Sequence, residues 1–567
     1  MSYLVFLLSF YFTLISIIGF GFVFQKIIFN NLSLSHNKLD IYIGFYGLTF
    51  LTIISFVSIF FTKHGYLHNI LIHSVGFFFG LYFVNKYKKN YLKYIFILSV
   101  VSISLLLISK TNEDFSYYHL PFTLYLSENK IIFGMGHLNH GYNLLSSIFY
   151  LNSTFYFPII KFYPFHFPAI FFLIFFNYWI LKEISLHPNK LIIFIYTLAF
   201  VYFNLSFNRL AEYGTDKPGQ LLILIISIKF LDLFLRENDT NETTNKQLAL
   251  LFPLVAYSLT LKAYFITYSI LILLIFFMFG KELFNKINKK FFYKSLFFSF
   301  LIFILMVAHY IIATGCIISP IEITCFDSKL FWAREASDIK NLSNWLEQWA
   351  KAGASPNFRV ENPEEYISSF NWIENWLKKY FILKFPDQLA IYFFSLLITF
   401  FCIFTKKKNN WNAKKIKKKI IIFYSLILLI CSVWFFNHPA LRYGGYSVVF
   451  LTLSIPFLYC FSNFSLKKKY LLNIRNLVII VFIIINLKNI LRIDSEFKRD
   501  DKFKFSNFPF FSVIETDYTK YLSSEGLNIY SPKGPHCWST PTPCGSNPDT
   551  IKVVKKKGYY FLKRIEQ

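Results

Sequence analysis

Charge is what this sequence has least of, and most of it carries one sign. Only 16% of the 567 residues are charged, with 31 acidic residues against 58 lysines and arginines. Set beside 55% hydrophobic residues and 74 phenylalanines, that scarcity excludes a soluble fold, because no globular core could hide so much apolar surface. The net charge of +27 would suggest nucleic acid if it formed one patch. The lysines stand instead in short clusters between apolar runs, as the positive-inside bias produces, so no nucleic-acid partner is expected. Other absences narrow the reading further. No basic stretch precedes the first apolar run, Leu4 to Phe24, and no small-residue cleavage site follows it, which predicts a retained span rather than a signal peptide. No internal repeat is visible, so the signature of many secondary transporters is missing.

What is present is a series of apolar runs. Stretches of about 20 residues, the length a bilayer demands, begin near Leu4, Ile41, Tyr66, Leu92, Phe165, Leu191, Gly219, Gln247, Tyr264, Leu296, Asp387, Ile420, Val448 and Asn476. They predict an all-α integral membrane protein with about 12–14 transmembrane helices. Leu248 to Phe279 reads either as a hairpin or as one long broken span. If the spans alternate, KYKKNYLK (86–93), KELFNKINKK (281–290), KKKNNWNAKKIKKK (406–419) and KKK (467–469) share a side, the cytoplasmic one. The opposite side then receives the loops 109–164 and 315–386, the segment NRLAEYGTDKPG (208–219) and the turn NHPALRYGG (437–445). It also receives a small C-terminal segment, 492–567, set apart from the polytopic domain 1–491.

The cysteines bear on this sidedness independently. Cys402, Cys431 and Cys460 fall inside predicted spans, whereas Cys316, Cys325, Cys537 and Cys544 fall in segments assigned to the outside. Cys316 is expected to pair with Cys325, and Cys537 with Cys544, in small disulfide loops that persist only in an oxidising compartment. A zinc site is disfavoured, since neither pair has the tight spacing zinc ligands show. Richness in Lys, Asn, Ile and Phe suggests an AT-rich genome and a bacterial inner membrane. In the long outer loop, Trp345 and Trp349 stand four apart, as do Trp372 and Trp376. Each pair occupies one helical face, as in amphipathic helices that lie at the membrane interface or roof a cavity opening there.

The stretch TNEDFSYYHLPFTLYLSENK (111–130) is polar and acidic among apolar neighbours. Pro121 disfavours the helical region at Leu120 and suits the start of a helix. Asp114 to Leu120 is therefore predicted to turn, with an amphipathic helix running along the membrane surface towards Lys130. Glu113 and Asp114 would sit just outside the hydrocarbon. A carboxylate there either solvates the end of a span or acts as a base towards a hydroxyl within hydrogen-bond reach.

The pattern D-x-x-x-Y-H-L-P (114–121), in the first large outer loop of a many-span chain, resembles the GT-C membrane glycosyltransferases. GMGHLNHGYN (134–143), the C-x8-C loop and the proline-rich C-x6-C add to the likeness. The resemblance implies a GT-C-like core and transfer of a sugar from a polyprenyl-phosphate carrier to a glycan or lipid acceptor on the outer face. It makes Asp114 the catalytic candidate, with Glu113 its neighbour. The acidic loop here follows the fourth predicted span, whereas in that family it typically follows the first.

A phosphate leaving group needs cations. Arg209 and Lys217, Lys262 in SLTLKAYF and Arg442 in the short turn 437–445 are the candidates. Arg442 stands out because its planar fork matches phosphate. Tyr118 and His119 complete the candidate substrate-binding set. Glu212 and Asp216 would pair with the cations or help hold a divalent metal, but no metal-ligand spacing is evident, so no cofactor is assigned. His137, Asn139 and His140 read as a polar loop. The rival functions are a transporter or lipid flippase and a non-catalytic membrane assembly protein.

Overall fold

A chain inside a bilayer must satisfy its own backbone, and helices do so locally. The computed structural model describes residues 2–29, 40–86, 89–107, 114–206, 214–235, 241–273, 289–327, 329–355, 357–408, 413–499 and 513–565. Among these, ten helical stretches are long and apolar enough to cross a membrane: Tyr3–Phe29, Asp40–Ser58, Tyr66–Asn85, Tyr163–Leu186, Asp216–Leu235, Phe291–Thr314, Trp372–Ile403, Ile416–Asn437, Leu441–Phe461 and Tyr470–Lys498. Four shorter apolar helices, Tyr91–Leu106, Lys190–Ser206, Gln247–Leu261 and Ala263–Leu273, account for the remaining predicted runs. The chain is therefore a mostly helical, multi-pass membrane protein.

In chain order the helices are α1 (Ser2–Phe29), α2 (Ile43–Ser58), α3 (Tyr66–Lys86), α4 (Lys89–Ser102), α5 (Leu120–Glu128), α6 (Ser147–Ser153), α7 (Phe167–Leu186), α8 (Lys190–Ser206) and α9 (Asp216–Leu235). They continue with α10 (Asn241–Leu261), α11 (Lys289–Thr314), α12 (Ala336–Ala350), α13 (Pro363–Ser368), α14 (Trp372–Trp376), α15 (Ile382–Ile403), α16 (Ala413–Asn437), α17 (Tyr446–Phe461) and α18 (Tyr470–Arg499). Strands among the described residues form antiparallel pairs: β1 (Ala354–Ser355) with β2 (Phe358–Arg359), β3 (Phe404–Lys408) with β4 (Phe464–Leu466), β5 (Tyr518–Leu522) with β6 (Asn528–Pro532), and β7 (Ile551–Lys556) with β8 (Tyr559–Arg564).

Lipid tails are as apolar as leucine, so helices in a bilayer associate through close packing and internal polar bonds. Gly19 of α1 lies against the backbone of Gly76 and Gly80 on α3, where any Cβ would collide. Deeper in the bundle, Asn177 and Asn204 exchange amide hydrogen bonds of 3.0 and 2.7 Å between α7 and α8. The apolar stretch of α9 is wholly enclosed, whereas α3, α15, α16 and α18 turn most of theirs outward, the surface a bilayer covers.

The connecting segments divide between the two ends of the bundle. At one end, Gly134 N–H bonds Ile312 O (2.8 Å), Phe133 N–H bonds Tyr560 O (2.9 Å) and Arg334 N–H bonds Thr314 O (2.8 Å), so loop 129–166, loop 315–335 and the C-terminal segment knit together. At the other end lies the lysine-bearing β3–β4 ribbon, whose Phe464 carbonyl accepts from Lys190 Nζ. Cys316 and Cys325 lie at disulfide-bonding distance, as do Cys537 and Cys544, while Cys402, Cys431 and Cys460 are free within helices.

Three expectations need correction or resolution. Helix α5 is not a surface helix, because every residue from Leu120 to Ser127 is buried. Thr123 and Ser127 spend their hydroxyls on backbone carbonyls one turn back (2.9 and 3.0 Å). The helix thus has no polar face to offer water, and α6 and the tail cover it, through Phe122 against Phe149 and Asn129 donating to Thr542 Oγ1 (2.9 Å). Trp372 and Trp376 do not lie on an open helical face either: both are buried against the protein. The run Leu248 to Phe279 breaks at Lys262, which is extended between α10 and a tight turn over Ala263–Ser269; residues 274–288 lie outside the described set.

Candidate functional site

Asp114 opens a wide helical turn, Phe115–His119, whose hydrogen bonds skip five residues. Pro121 explains the widening. It has no N–H to give the Tyr117 carbonyl, and Leu120 N–H bonds Phe115 O instead of Ser116 O. Two carbonyls are thereby freed, and both find partners from afar. Asn139 Nδ2 donates to Tyr117 O (3.0 Å), and Trp538 N–H from the C-terminal segment donates to Ser116 O (3.0 Å). Such turns recur at functional sites because they re-aim side chains out of helical register.

Arg442 is held by a second irregular turn, Leu441–Gly445, between α16 and α17. Every flank of this turn is pinned. Trp376 Nε1–H donates to Pro439 O (2.7 Å), Trp434 Nε1–H to Ala440 O (3.1 Å) and Gln220 Nε2–H to Leu441 O (2.9 Å), and Leu441 N–H donates to Tyr380 Oη (2.9 Å). Gly444 has φ +87°, and a Cβ there would press on the Tyr264 ring, so only glycine fits without strain.

These turns bring four charges together from four separate parts of the chain. Arg442 Nη2 is paired with Asp114 Oδ2, and Arg442 Nε lies 3.5 Å from Asp216 Oδ2 at the start of α9. Lys262, from the break after α10, pairs with Asp216 Oδ1 and donates to Arg442 O at 3.0 Å. The Tyr443 ring lies under both cations, 4.4 Å from Lys262 Nζ and 5.5 Å from Arg442 Cζ, which adds attraction from its π face. Side-chain exposures of 40% for Arg442, 29% for Asp114, 25% for Asp216 and 14% for Lys262 leave the cluster open to a ligand. Burial works against the Asp114 carboxylate, yet the Arg442 guanidinium outweighs it and holds the carboxyl below its ordinary range. Burial pulls the Lys262 ammonium below its usual range, with Asp216 opposing and Arg442 adding to the shift. Two acids and two bases leave the cluster neutral.

Tyr118 and His119 are buried behind Asp114, edge to face with ring centroids 4.3 Å apart, with His119 5.3 Å from the Phe149 ring. His119 is close enough for its charge to favour ionised Asp114. Lys217 follows Asp216 in the first turn of α9 and is half-buried. Glu113, Arg209 and Glu212 lie outside the described residues. His137 lies with Nε2 3.0 Å from Trp332 O and Nδ1 3.3 Å from Arg334 Nη1, an arrangement of a polar loop. Among the described residues no three His, Cys, Asp or Glu groups gather to hold a metal, and Arg442 occupies the space between Asp114 and Asp216.

A second charged cluster differs in its burial. Lys229 Nζ bonds Glu183 Oε1 (2.8 Å) and Asp232 Oδ2 (3.0 Å), and His187 Nε2 lies 2.9 Å from Asp232 Oδ1. No side chain in it is more than 9% exposed. On α9 it sits about 20 Å from Asp216, thirteen residues on at about 1.5 Å each.

Sequence reasoning gave Asp216 only a helper's part and overlooked Gln220, Tyr380 and Tyr443. The acidic residue two before Pro218 was the available signal for Asp216, as a helix start. The others are read only through their contacts.

Fold and site together define a multi-pass membrane protein with one partly open, charge-balanced cluster at the end of the bundle where its long loops gather. The chain belongs to the family described as a domain of unknown function (DUF8201), which matches residues 3–451. Asp114, Asp216, Lys262 and Arg442 all lie within that match, and the segment 513–565 lies beyond it. No curated protein and no solved structure matches the chain.

Proposed function

We propose that this protein is a GT-C-like glycosyltransferase. It moves a sugar from a polyprenyl-phosphate carrier to a glycan or lipid acceptor on the outer face of a bacterial inner membrane. The observation that carries the reading is the meeting of Asp114 with Arg442, Asp216 and Lys262 in a cluster a substrate can reach. The Arg442 side chain is 40% exposed, so its guanidinium presents part of its planar fork to a phosphate oxygen. The carrier phosphate takes Arg442 and Lys262 and displaces Asp114, which is then an unpaired base. The acceptor oxygen attacks the anomeric carbon as the bond from that carbon to the phosphate oxygen breaks. The configuration inverts, the acceptor proton passes to an Asp114 carboxylate oxygen, and the phosphate leaves with the bonding electrons stabilised by both cations. Asp216 keeps Lys262 oriented. Loss of turnover in Asp114→Asn, in membranes supplied with polyprenyl-phosphate sugars and with insertion unchanged, is the expected result; full turnover refutes the assignment. Sidedness is tested separately: labelling that placed cysteines introduced at 413–419 outside would overturn it.

One observation favours transport as a second reading. Glu183, Lys229, Asp232 and His187 are ionisable groups buried within the bundle, where such groups often mark an ion path. Flux into proteoliposomes that is lost in Asp232→Asn and unaffected by Asp114→Asn would select it.

A further inference from the structure

The C-terminal segment reaches the site from beyond the family match. Trp538 N–H bonds Ser116 O at 3.0 Å, and His536 Nδ1 lies 2.6 Å from Ser116 Oγ. The Trp538 ring stands at 72° to Phe115 with centroids 6.3 Å apart, and the His536 ring lies 5.8 Å from that of Tyr117. Phe115 directly follows Asp114, so an indole and an imidazole are anchored on the turn that carries the carboxylate.

Trp538 packs against the core with only part of its surface. Its φ of +47° is in the left-handed region, which costs a bulky L residue about 1–2 kcal/mol. Strain of that kind survives where the surroundings impose it, and it gathers at ligand contacts. Here the Cys537–Cys544 loop and the Ser116 bond impose it. Three tryptophans that brace the loops around the site spend their indole N–H on a carbonyl: Trp376 on Pro439, Trp434 on Ala440, Trp332 on Ile311. Trp538 stays partly exposed, and its indole N–H, unlike its backbone N–H, makes no hydrogen bond among the described residues.

We infer that Trp538, with His536 beside it, is a stacking platform for a hydroxylated sugar ring next to Asp114. An indole offers an apolar face and one donor at its edge. A sugar ring has the complementary form, an apolar C–H face rimmed by hydroxyls, and a free aromatic surface beside a few polar groups is how small-ligand sites recognise such a body. The inference rests on the glycosyl-transfer reading and names what lies against the base. The ring belongs to the acceptor or to the donor, and kinetics distinguishes them.

The test uses the full chain in nanodiscs. Methyl glycosides and short unphosphorylated oligosaccharides are titrated in and followed by saturation-transfer NMR. Trp538→Ala is expected to weaken sugar binding about tenfold. Trp538→Phe keeps the packing on Phe115 but loses the donor, and should raise KM several-fold for one substrate only, the one whose ring it holds. Should Trp538→Ala release the tail, the phenylalanine variant still decides. Sugar binding and both KM values unchanged in Trp538→Phe and Trp538→Ala, with turnover still dependent on Asp114, would overturn the platform and leave the reaction standing. Sugar binding that depends on Trp538 in a protein without turnover would do the reverse.

Discussion

Asp114→Asn separates two roles that the aspartate combines. In the resting cluster Asp114 competes with any arriving phosphate for Arg442, and in the proposed reaction it accepts a proton. The substitution keeps the shape and removes one negative charge, so the cluster passes from neutral to a net +1. With side chains 29% and 40% exposed, solvent screens the lost pair to about 0.5–1 kcal/mol, which corresponds to about two- to fivefold in affinity. Anionic donor should therefore bind about two- to fivefold more tightly, while turnover falls about 10²- to 10⁴-fold for want of the base. Titration with polyprenyl phosphate reads the first quantity and single-turnover transfer reads the second. Weaker phosphate binding in Asp114→Asn would refute the competition, and undiminished transfer would refute the base. The pH dependence has a definite sign. Because the folded pKa of Asp114 lies below its ordinary value, the unfolded chain binds the proton first as pH falls. The stabilisation is whole at neutral pH and is lost below about pH 4. The difference in thermal stability between wild type and Asp114→Asn should thus be largest near pH 7 and close on acidification.

Trp376→Phe removes the indole donor from the buried Pro439 carbonyl and should cost about 1–3 kcal/mol; a lower Tm together with a raised donor KM is expected, since the same turn carries Arg442. Lys229→Met strands Glu183 and Asp232 without their cation and should destabilise by about 3–5 kcal/mol; expression and Tm that match wild type would show those carboxyls to be protonated. Mass spectrometry of the unreduced protein should find Cys316 linked to Cys325 and Cys537 to Cys544, with three free thiols at Cys402, Cys431 and Cys460.

Membrane class, the fourteen apolar runs, the pairing of the four loop cysteines and the candidacy of Asp114, Lys262 and Arg442 were legible in the sequence. They are written in local composition and short spacing, and a bilayer enforces its demand for apolar length segment by segment. The meeting of Asp114 with Arg442, 328 positions apart, was not legible, because it depends on which helix faces pack together. With phenylalanine and isoleucine on every side of every span, no stripe of residues announces a partner. The same reason hid the burial of α5, whose hydroxyls look like a polar face in one dimension but bond the helix's own backbone. It also hid the use of Trp376, which at helical spacing resembles an interfacial anchor until Pro439 is brought to it. Only the tertiary structure places the C-terminal segment on the turn after Asp114. That contact exists because Pro121 frees backbone carbonyls whose partners come from residues 139 and 538. A missing hydrogen bond can be read from the sequence; the group that makes it good is chosen by the fold.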